Sequence, residues 1–373
     1  MKTKLIPLAY GLILASTPCL ASDIDYQFGG SIKTIITHDS DAAGVGINIP
    51  ANSLYGKSHH SDTKLDASLS QFKFAAVKSF RDGSHLQSLL AMDFNANNDA
   101  SMSPRLREAY LSWQWHNSQI LAGQTWSTFM DMRNYPLSLA EPTLSGVVFK
   151  RQTMVRWSQT QRAFKYDLAL ENGTNSDIQN SSEDAIDNSG SSPDLIIGLE
   201  WTHQHGWLRA SSAFTEVRLA SEQTEFSKLG YGVQLSGGWS PTPRDQVSLL
   251  AYTGQGTDRY LLGLSNTGSS WNSAEKTLDL RTTHSVMASY TRYWRPDLKS
   301  VLAYGRVASR ALDWQDTSTV DTFTSSQYGL LNLLWNIKPD LMLGLEYNYS
   351  QYERNITGTR DNHRVMLGME WKY

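Results

Sequence analysis

The chain has 373 residues, with 33 Lys and Arg against 36 Asp and Glu for a formal net charge of −3, and a mean hydropathy of −0.40. A mildly acidic chain offers no basic face to nucleic acid, and nothing after the amino terminus approaches the roughly 18 consecutive apolar residues of a membrane-spanning helix. Its single cysteine, Cys19, excludes a disulfide framework, whereas a β-barrel stays open, because its strands put every second residue into lipid and leave the average polar.

The first residues read MKTKLIPLAYGLILASTPCLA. Lys2 and Lys4 precede an apolar run from Leu5 to Ala15, and small residues end at Ala21, so 1–21 is expected to be a cleaved secretory leader. Ser16 stands three residues before Cys19, where a lipoprotein leader would need an apolar residue. Residues 22–373 then form one expected domain.

A first strand is expected near Ile24 to Thr37, followed by a long polar connection over 38–61 and a short turn at Arg81-Asp82-Gly83. After another long connection, 95–104, Arg105 and Arg107 open the fourth strand, which turns around Asn117. The fifth strand runs into GQTWSTFMDMRNYPLSLAEPTLSG, a long connection over 125–146 that carries Asp131, Arg133 and Glu141. Lys150, Arg151 and Arg156 crowd the sixth strand. Arg151 and Arg156 have opposite parity, so a regular strand points one of them inward. Placing Phe149, Val155 and Trp157 on lipid puts Lys150 and Arg156 inside. A short turn is expected over Gln159 to Gln161.

The next connection, 172–193 within ENGTNSDIQNSSEDAIDNSGSSPD, carries Glu171, Asp177, Glu183, Asp184, Asp187 and Asp194 on or beside it and no basic residue. It lacks the alternating Asp spacing of a calcium loop and reads as a solvated surface loop, with divalent bridging to lipopolysaccharide as the alternative. LIIGLEW then places Leu195, Ile197, Leu199 and Trp201 on one face. LGYGVQLSGGW does the same with Leu229, Tyr231, Val233, Leu235 and Trp239, against Gly230, Gly232, Gln234, Ser236 and Gly238. Short turns fall at His203 to Gly206, Pro241 to Asp245, Pro296-Asp297 and Pro339-Asp340. Long connections fall over 216–227, 254–280, 312–321 and 353–360. LMLGLEYNY repeats the alternation, and the closing RVMLGMEWKY sets Val365, Leu367, Met369, Trp371 and Tyr373 against Arg364, Gly368, Glu370 and Lys372, with Met366 as the one apolar intruder.

Short and long connections alternate throughout, which gives sixteen expected strands. Short periplasmic turns, long extracellular loops and an even strand number describe an all-β, antiparallel up-and-down transmembrane barrel in the outer membrane of a Gram-negative bacterium. Closure removes the unpaired backbone edge that lipid would penalise. The last strand is expected to close against the first, apolar parity outward. Tyr and Trp near strand ends, among them Trp201, Trp239, Trp335 and Trp371, suit the membrane interfaces.

Gly123-Gln124-Thr125-Trp126-Ser127-Thr128-Phe129-Met130-Asp131, then Pro136, Pro142 and Gly146, then Phe149-Lys150-Arg151-Gln152 and Val155-Arg156 resemble the DcaP-like family of outer-membrane porins. The resemblance implies a homotrimer of roughly sixteen-stranded barrels, a third long loop folded inward as a constriction, and passive diffusion of small organic anions such as dicarboxylates. Some members carry a coiled-coil segment between leader and barrel, and here Ile24 starts a strand at once, so nothing tied to that segment carries over. Arg105, Arg107, Arg133, Lys150, Arg151 and Arg156 are the basic residues that would line the constriction, because fixed positive charge replaces part of the hydration an anion gives up. Asp131 and Glu141 would oppose them from the loop and create a transverse field. Partners are then outer-membrane lipid, lipopolysaccharide and small anions.

Two other readings stand beside this one: a porin for sugars or other small solutes, and an adhesin or structural barrel. No enzyme is expected. His284 and Ser285 are neighbours on a strand and point to opposite sides, and no Gly-x-Ser-x-Gly elbow appears. His59-His60, His203 and His205 lack the spacing of a zinc site, so no metal or other cofactor is expected.

Overall fold

The computed structural model describes residues 24–41, 46–48, 60–98, 101–143, 145–173, 178–179, 192–221, 224–264, 267–272, 275–315 and 321–373. The expected leader, His59, Asp177, Glu183, Asp184 and Asp187 lie outside these residues. Among the described residues the chain forms one closed antiparallel barrel. Its strands are β1 (Ile24–Asp39), β2 (Asp62–Asp66 continued by Gln71–Ser79), β3 (His85–Asp93), β4 (Arg105–Trp115), β5 (Ser118–Trp126), β6 (Arg151–Gln161), β7 (Phe164–Glu171) and β8 (Asp194–His203). The second half comprises β9 (Gly206–Ser221), β10 (Thr224–Thr242), β11 (Asp245–Gln255), β12 (Thr282–Arg295), β13 (Leu298–Ser309), β14 (Phe323–Lys338), β15 (Leu341–Arg354) and β16 (Gly358–Lys372). Both pieces of β2 pair with β1, so they count as one strand and the barrel has sixteen.

Each strand pairs with its neighbours in sequence, and the cylinder shuts where β1 meets β16, with Ile32 opposite Trp371 and Ile36 opposite Leu367. Reciprocal backbone bonds between Gly30 and Tyr373 (3.1 and 3.2 Å) extend this seam to the last residue. The apolar parity of β16 faces outward: Val365, Leu367, Met369, Trp371 and Tyr373 are all exposed, while Arg364 and Met366 are buried on the inner side. Ile197, Leu199 and Trp201 on β8 and Leu229 to Trp239 on β10 follow the same rule. Such a continuous exposed apolar face is what a chain surrounded by hydrocarbon presents.

Three connections differ from expectation. Gln159 to Gln161 belong to β6, and the turn follows at Arg162, which takes a positive φ of 55°. Strands β9 and β10 stay paired up to Ser221 opposite Thr224, and β15 and β16 up to Arg354 opposite Gly358, where loops over 216–227 and 353–360 were expected. These strand ends rise beyond the apolar band, where both faces can be polar and the alternation that signals a strand fades. Above them, Ser269–Asn272 pairs with Thr277–Leu280 and with Ile178–Gln179 in a small separate sheet. Glu171 and Asp194 are not solvated: they end β7 and β8 opposite one another, and both are buried.

The interior is filled largely by two loops. Residues 127–150, the third long connection, contribute Phe129, Met130, Val147 and Val148 to an apolar cluster with Tyr260, Leu261 and Leu264 from residues 256–281. Inward residues Tyr252, Met287, Phe323 and Tyr352 of the wall complete it. A second cluster forms around Leu139, which rests on Ile35, Leu334 and Met366. The apolar intruder of the last strand therefore has a partner inside the barrel. Phe149, expected on lipid, points inward and stacks on Tyr135 at 5.0 Å and edge-on to Trp126 at 4.6 Å.

Candidate pore constriction

The constriction loop is fastened to the wall at successive points around the lumen. At its start, Glu171 accepts bonds from Ser127 Oγ (2.7 Å) and Thr128 N (2.7 Å), and Arg209 Nη2 donates to Thr128 O (2.7 Å). Ser211 Oγ and Gln234 Nε2 each donate to Phe129 O at 3.0 Å. On the far side, Glu346 of β15 accepts from Ser138 Oγ (2.6 Å) and Leu139 N (2.8 Å), and Asn332 Nδ2 donates to Leu137 O (2.8 Å). The returning limb meets Ser285 Oγ, which donates to Gly146 O (2.6 Å). It passes so close to β13 that a Cβ on Gly305 would stand 2.2 Å from Ser145 O. Gly146 itself has φ +72°, a conformation that a side chain would strain.

A second inward loop clamps that limb. Val148 and Leu261 form an antiparallel bridge, with Phe149 N donating to Tyr260 O (2.8 Å) and Leu262 N to Val147 O (3.0 Å). The Tyr260 side chain is fully buried, and its hydroxyl donates to Asp194 while accepting from Gln152 Nε2 (2.9 Å). Arg259 pairs with the same Asp194. Nothing in the glycine spacing of 254–263 pointed to this insertion. The signal that could have found it is the pair of apolar stretches, Val147-Val148 and Leu261-Leu262, on two otherwise polar loops.

The residues expected at the constriction fall into two groups. In the first, Arg105 and Arg107 share one carboxylate: Arg105 is bidentate to Asp93 (2.8 and 2.7 Å), and Arg107 Nη1 reaches Asp93 Oδ2 at 2.5 Å. A register slip between Ala91 and Met92 leaves Arg107 unopposed on β4, and such a bulge re-aims a side chain that regular pleating would send outward. Leu106 stays on lipid while Arg105, Arg107 and Glu108 all turn in, the last accepting from the buried Thr125 hydroxyl (2.7 Å). Arg151 joins them, its guanidinium 4.7 Å from the Trp126 ring centroid and Arg107 5.9 Å from the same ring. Glu141 of the loop lies 3.7 Å from Arg105 and is held by Asn48 Nδ2 (2.6 Å). Both Arg151 and Arg156 therefore reach lumenal neighbours, because β6 begins only at Arg151 and parity does not bind its first residue.

The second group lines a cavity of about 250 Å³ that includes Arg156, Arg133, Asp131, Lys165, Glu200 and Arg209, with Trp126 at its edge. Arg133 pairs with Glu200 (2.6 Å) and lies 4.6 Å from the Trp207 ring centroid. Asp131 does not face the basic wall across open space. It is buried against β9 and β10, where its Oδ2 accepts from Trp207 Nε1 (2.9 Å), Ser236 Oγ (2.8 Å) and Asn134 Nδ2 (3.0 Å), while Oδ1 meets Arg133 Nε at 3.3 Å. Arg209 and Lys165 share Asp167 (2.9 and 3.3 Å). Lys150 precedes β6, and its carbonyl accepts from Ser127 N (2.9 Å). Among the described residues, neither Arg151 nor Arg156 has an ion-pair partner, and Arg151 Nη1 and Arg156 Nε are buried without a hydrogen bond. Asp93, Lys165, Asp167, Glu200 and Arg209 were missed in the sequence. Each has the parity opposite to an outward Leu or Trp, as Asp167 has to Leu168 and Arg209 to Leu208.

Comparison with known proteins agrees with this architecture. The family described as DcaP outer membrane protein matches residues 15–367. The crystal structure of the outer membrane channel DcaP of Acinetobacter baumannii superposes with a TM-score of 0.81 at 20% identity, over 94% of this chain and 97% of that one. An anion-selective porin from Comamonas acidovorans gives 0.65 at 10% identity, over 94% and 100%. A trimer form of OmpT from Vibrio cholerae gives 0.57 at 11%, over 94% and 99%. No curated protein sequence matches.

Proposed function

The chain belongs to the DcaP outer membrane protein family, an outer-membrane channel of the Gram-negative envelope, and from that premise we propose that it passes small organic anions, dicarboxylates among them, down their gradient. The observation that carries this reading is the excess of positive charge around Trp126. Arg105 and Arg107 share the single carboxylate of Asp93, and Arg151 and Arg156 add two guanidinium groups with no ion-pair partner among the described residues. A carboxylate that sheds water in the narrow part of the pore finds fixed, always-charged donors there, whereas a cation meets repulsion.

Glu141, 3.7 Å from Arg105, and the inward Glu108 offset part of this charge and Asp131 is turned into the opposite wall, so Arg151 and Arg156 supply the excess that remains. The reading is also consistent with the fold shared with a porin described as anion-selective, that of Comamonas acidovorans. Replacing Arg107 and Arg156 together by Gln is expected to lower the anion-to-cation permeability ratio several-fold in planar bilayers. An unchanged reversal potential would reject the role. We further propose a homotrimer surrounded by lipid and lipopolysaccharide, as the trimer form of OmpT suggests. Conductance would then rise and fall in threes.

A further inference from the structure

We propose that the inner wall on the periplasmic side of the constriction carries a second anion station, formed by Lys33, Lys73 and Lys372, which holds a small dianion between the arginines and the periplasmic mouth. It rests on the anion reading above. The three lysines stand on three adjacent strands: β16, β1 and β2. Register places Lys372 beside Ser31 and Lys73 beside Gly29, with Lys33 one inward position further along β1. All three have the inner parity, since Ile32, Phe72 and Trp371 beside them are exposed to lipid. With strands about 4.8 Å apart and successive same-face residues about 6.7 Å apart, the Cα atoms of Lys33 and Lys372 lie roughly 8 Å apart. Those of Lys73 and Lys372 lie roughly 12 Å apart, within reach of two lysine side chains.

Small residues make the floor. Gly29 and Ser31 are the β1 residues between the lysines, and Gln71 stands across from Ser31 on β2. Compensation is partial: Lys33 meets Glu370 at 4.0 Å, the outer limit of an ion pair, and Lys73 lies in line with the inward Glu108 across Ala91, while among the described residues Lys73 and Lys372 have no ion-pair partner. Lys33 stands near Glu370 and Glu346 and Lys73 near Glu108, and both also lie within range of Arg107 and Lys372, so the station adjoins the arginine cluster with acids interleaved. Lysine suits this place: a hydrated point charge on a flexible stem attracts an anion without the bidentate grip of an arginine, and so releases it.

The test uses the full-length channel in planar bilayers of known orientation, with succinate as the probe and acetate as the monovalent control. The variant Lys33→Gln/Lys73→Gln/Lys372→Gln is expected to reduce the frequency of succinate events several-fold when succinate is added on the periplasmic side. The loss should shrink as salt rises, because screening weakens the attraction in both proteins. Acetate and extracellular succinate should change far less, and the reversal potential in potassium chloride should stay anion-selective. The corresponding Lys→Arg triple variant should keep its periplasmic events, which separates charge from any folding defect. Unchanged periplasmic events in the Gln variant, or their loss in the Arg variant as well, would overturn the station, and so would an unmodified channel that shows no succinate events. Absence of any anion preference in the unmodified channel would instead bring down the reading on which the station rests.

Discussion

Asp131 illustrates how one side chain sets the position of the constriction. Burial on its own would raise its carboxyl pKa, but Arg133, then the Trp207 indole and the Ser236 hydroxyl, outweigh that effect and hold the group below its ordinary value. A depressed folded value means that the ionised form contributes to loop docking at any pH above the ordinary carboxylate value of about 3.9, and that this contribution is lost as pH falls through the folded value. Open-channel noise is therefore expected to stay flat from neutral pH down to about 4 and to rise only in stronger acid. Asp131→Asn, neutral at every pH, forfeits the Arg133 attraction and is expected to cost about 1–3 kcal/mol of docking, so its noise should be raised already at neutral pH. Wild-type noise that climbs steadily between neutral pH and about 5 would argue against this account.

At the scale of elements, the constriction is a product of two loops rather than one. The bridge between Val148 and Leu261 and the buried Tyr260 hydroxyl couple residues 256–281 to the returning limb of residues 127–150. Tyr260→Phe keeps the ring that packs edge-on against Phe129 at 5.4 Å but leaves Asp194 with one donor fewer. A loss on the order of 1–2 kcal/mol follows, read as a Tm lowered by a few degrees in detergent together with more frequent sub-conductance steps. A channel identical to the parent in both would show that the second loop is a passenger. This coupling also marks where sequence reading ends. Period-two alternation located the outward face of β8, β10, β15 and β16, because lipid imposes one rule on every strand. No such rule governs the lumen. Met366 on the inner parity hinted that something apolar lay inside, but its partner, Leu139, comes from more than 200 residues away. Likewise, the inward turn of Arg107 depends on a bulge that local composition does not announce, and Phe149 was placed on lipid because its strand starts two residues later than parity counting assumed.

For the whole molecule, the decisive question is whether the exposed apolar face sits in hydrocarbon, since a lumen with water and ions follows from that. On β10, Leu229, Tyr231, Val233, Leu235 and Trp239 all face out. Tyr231 and Trp239 are eight residues apart, about 26 Å of strand at about 3.3 Å per residue, and with the usual tilt of about 40° they span roughly 20 Å along the membrane normal. That is close to the height of an apolar band between two aromatic girdles, and it puts Leu235 near the midplane. Arginine there must shed its hydration or drag water inward, at about 2–4 kcal/mol. Leu235→Arg is thus expected to lower the free energy of folding into phospholipid vesicles by that amount in urea titrations. Ser248→Arg, on the inner face where Ser248 Oγ meets Ser289 Oγ at 2.8 Å, crowds a buried position and serves as the control for volume and charge without lipid contact. Its penalty should be the same in thin-chain and thick-chain lipids, because it arises from packing, whereas that of Leu235→Arg should grow with bilayer thickness. A Leu235→Arg penalty indifferent to thickness would mean that this face is covered by something other than acyl chains.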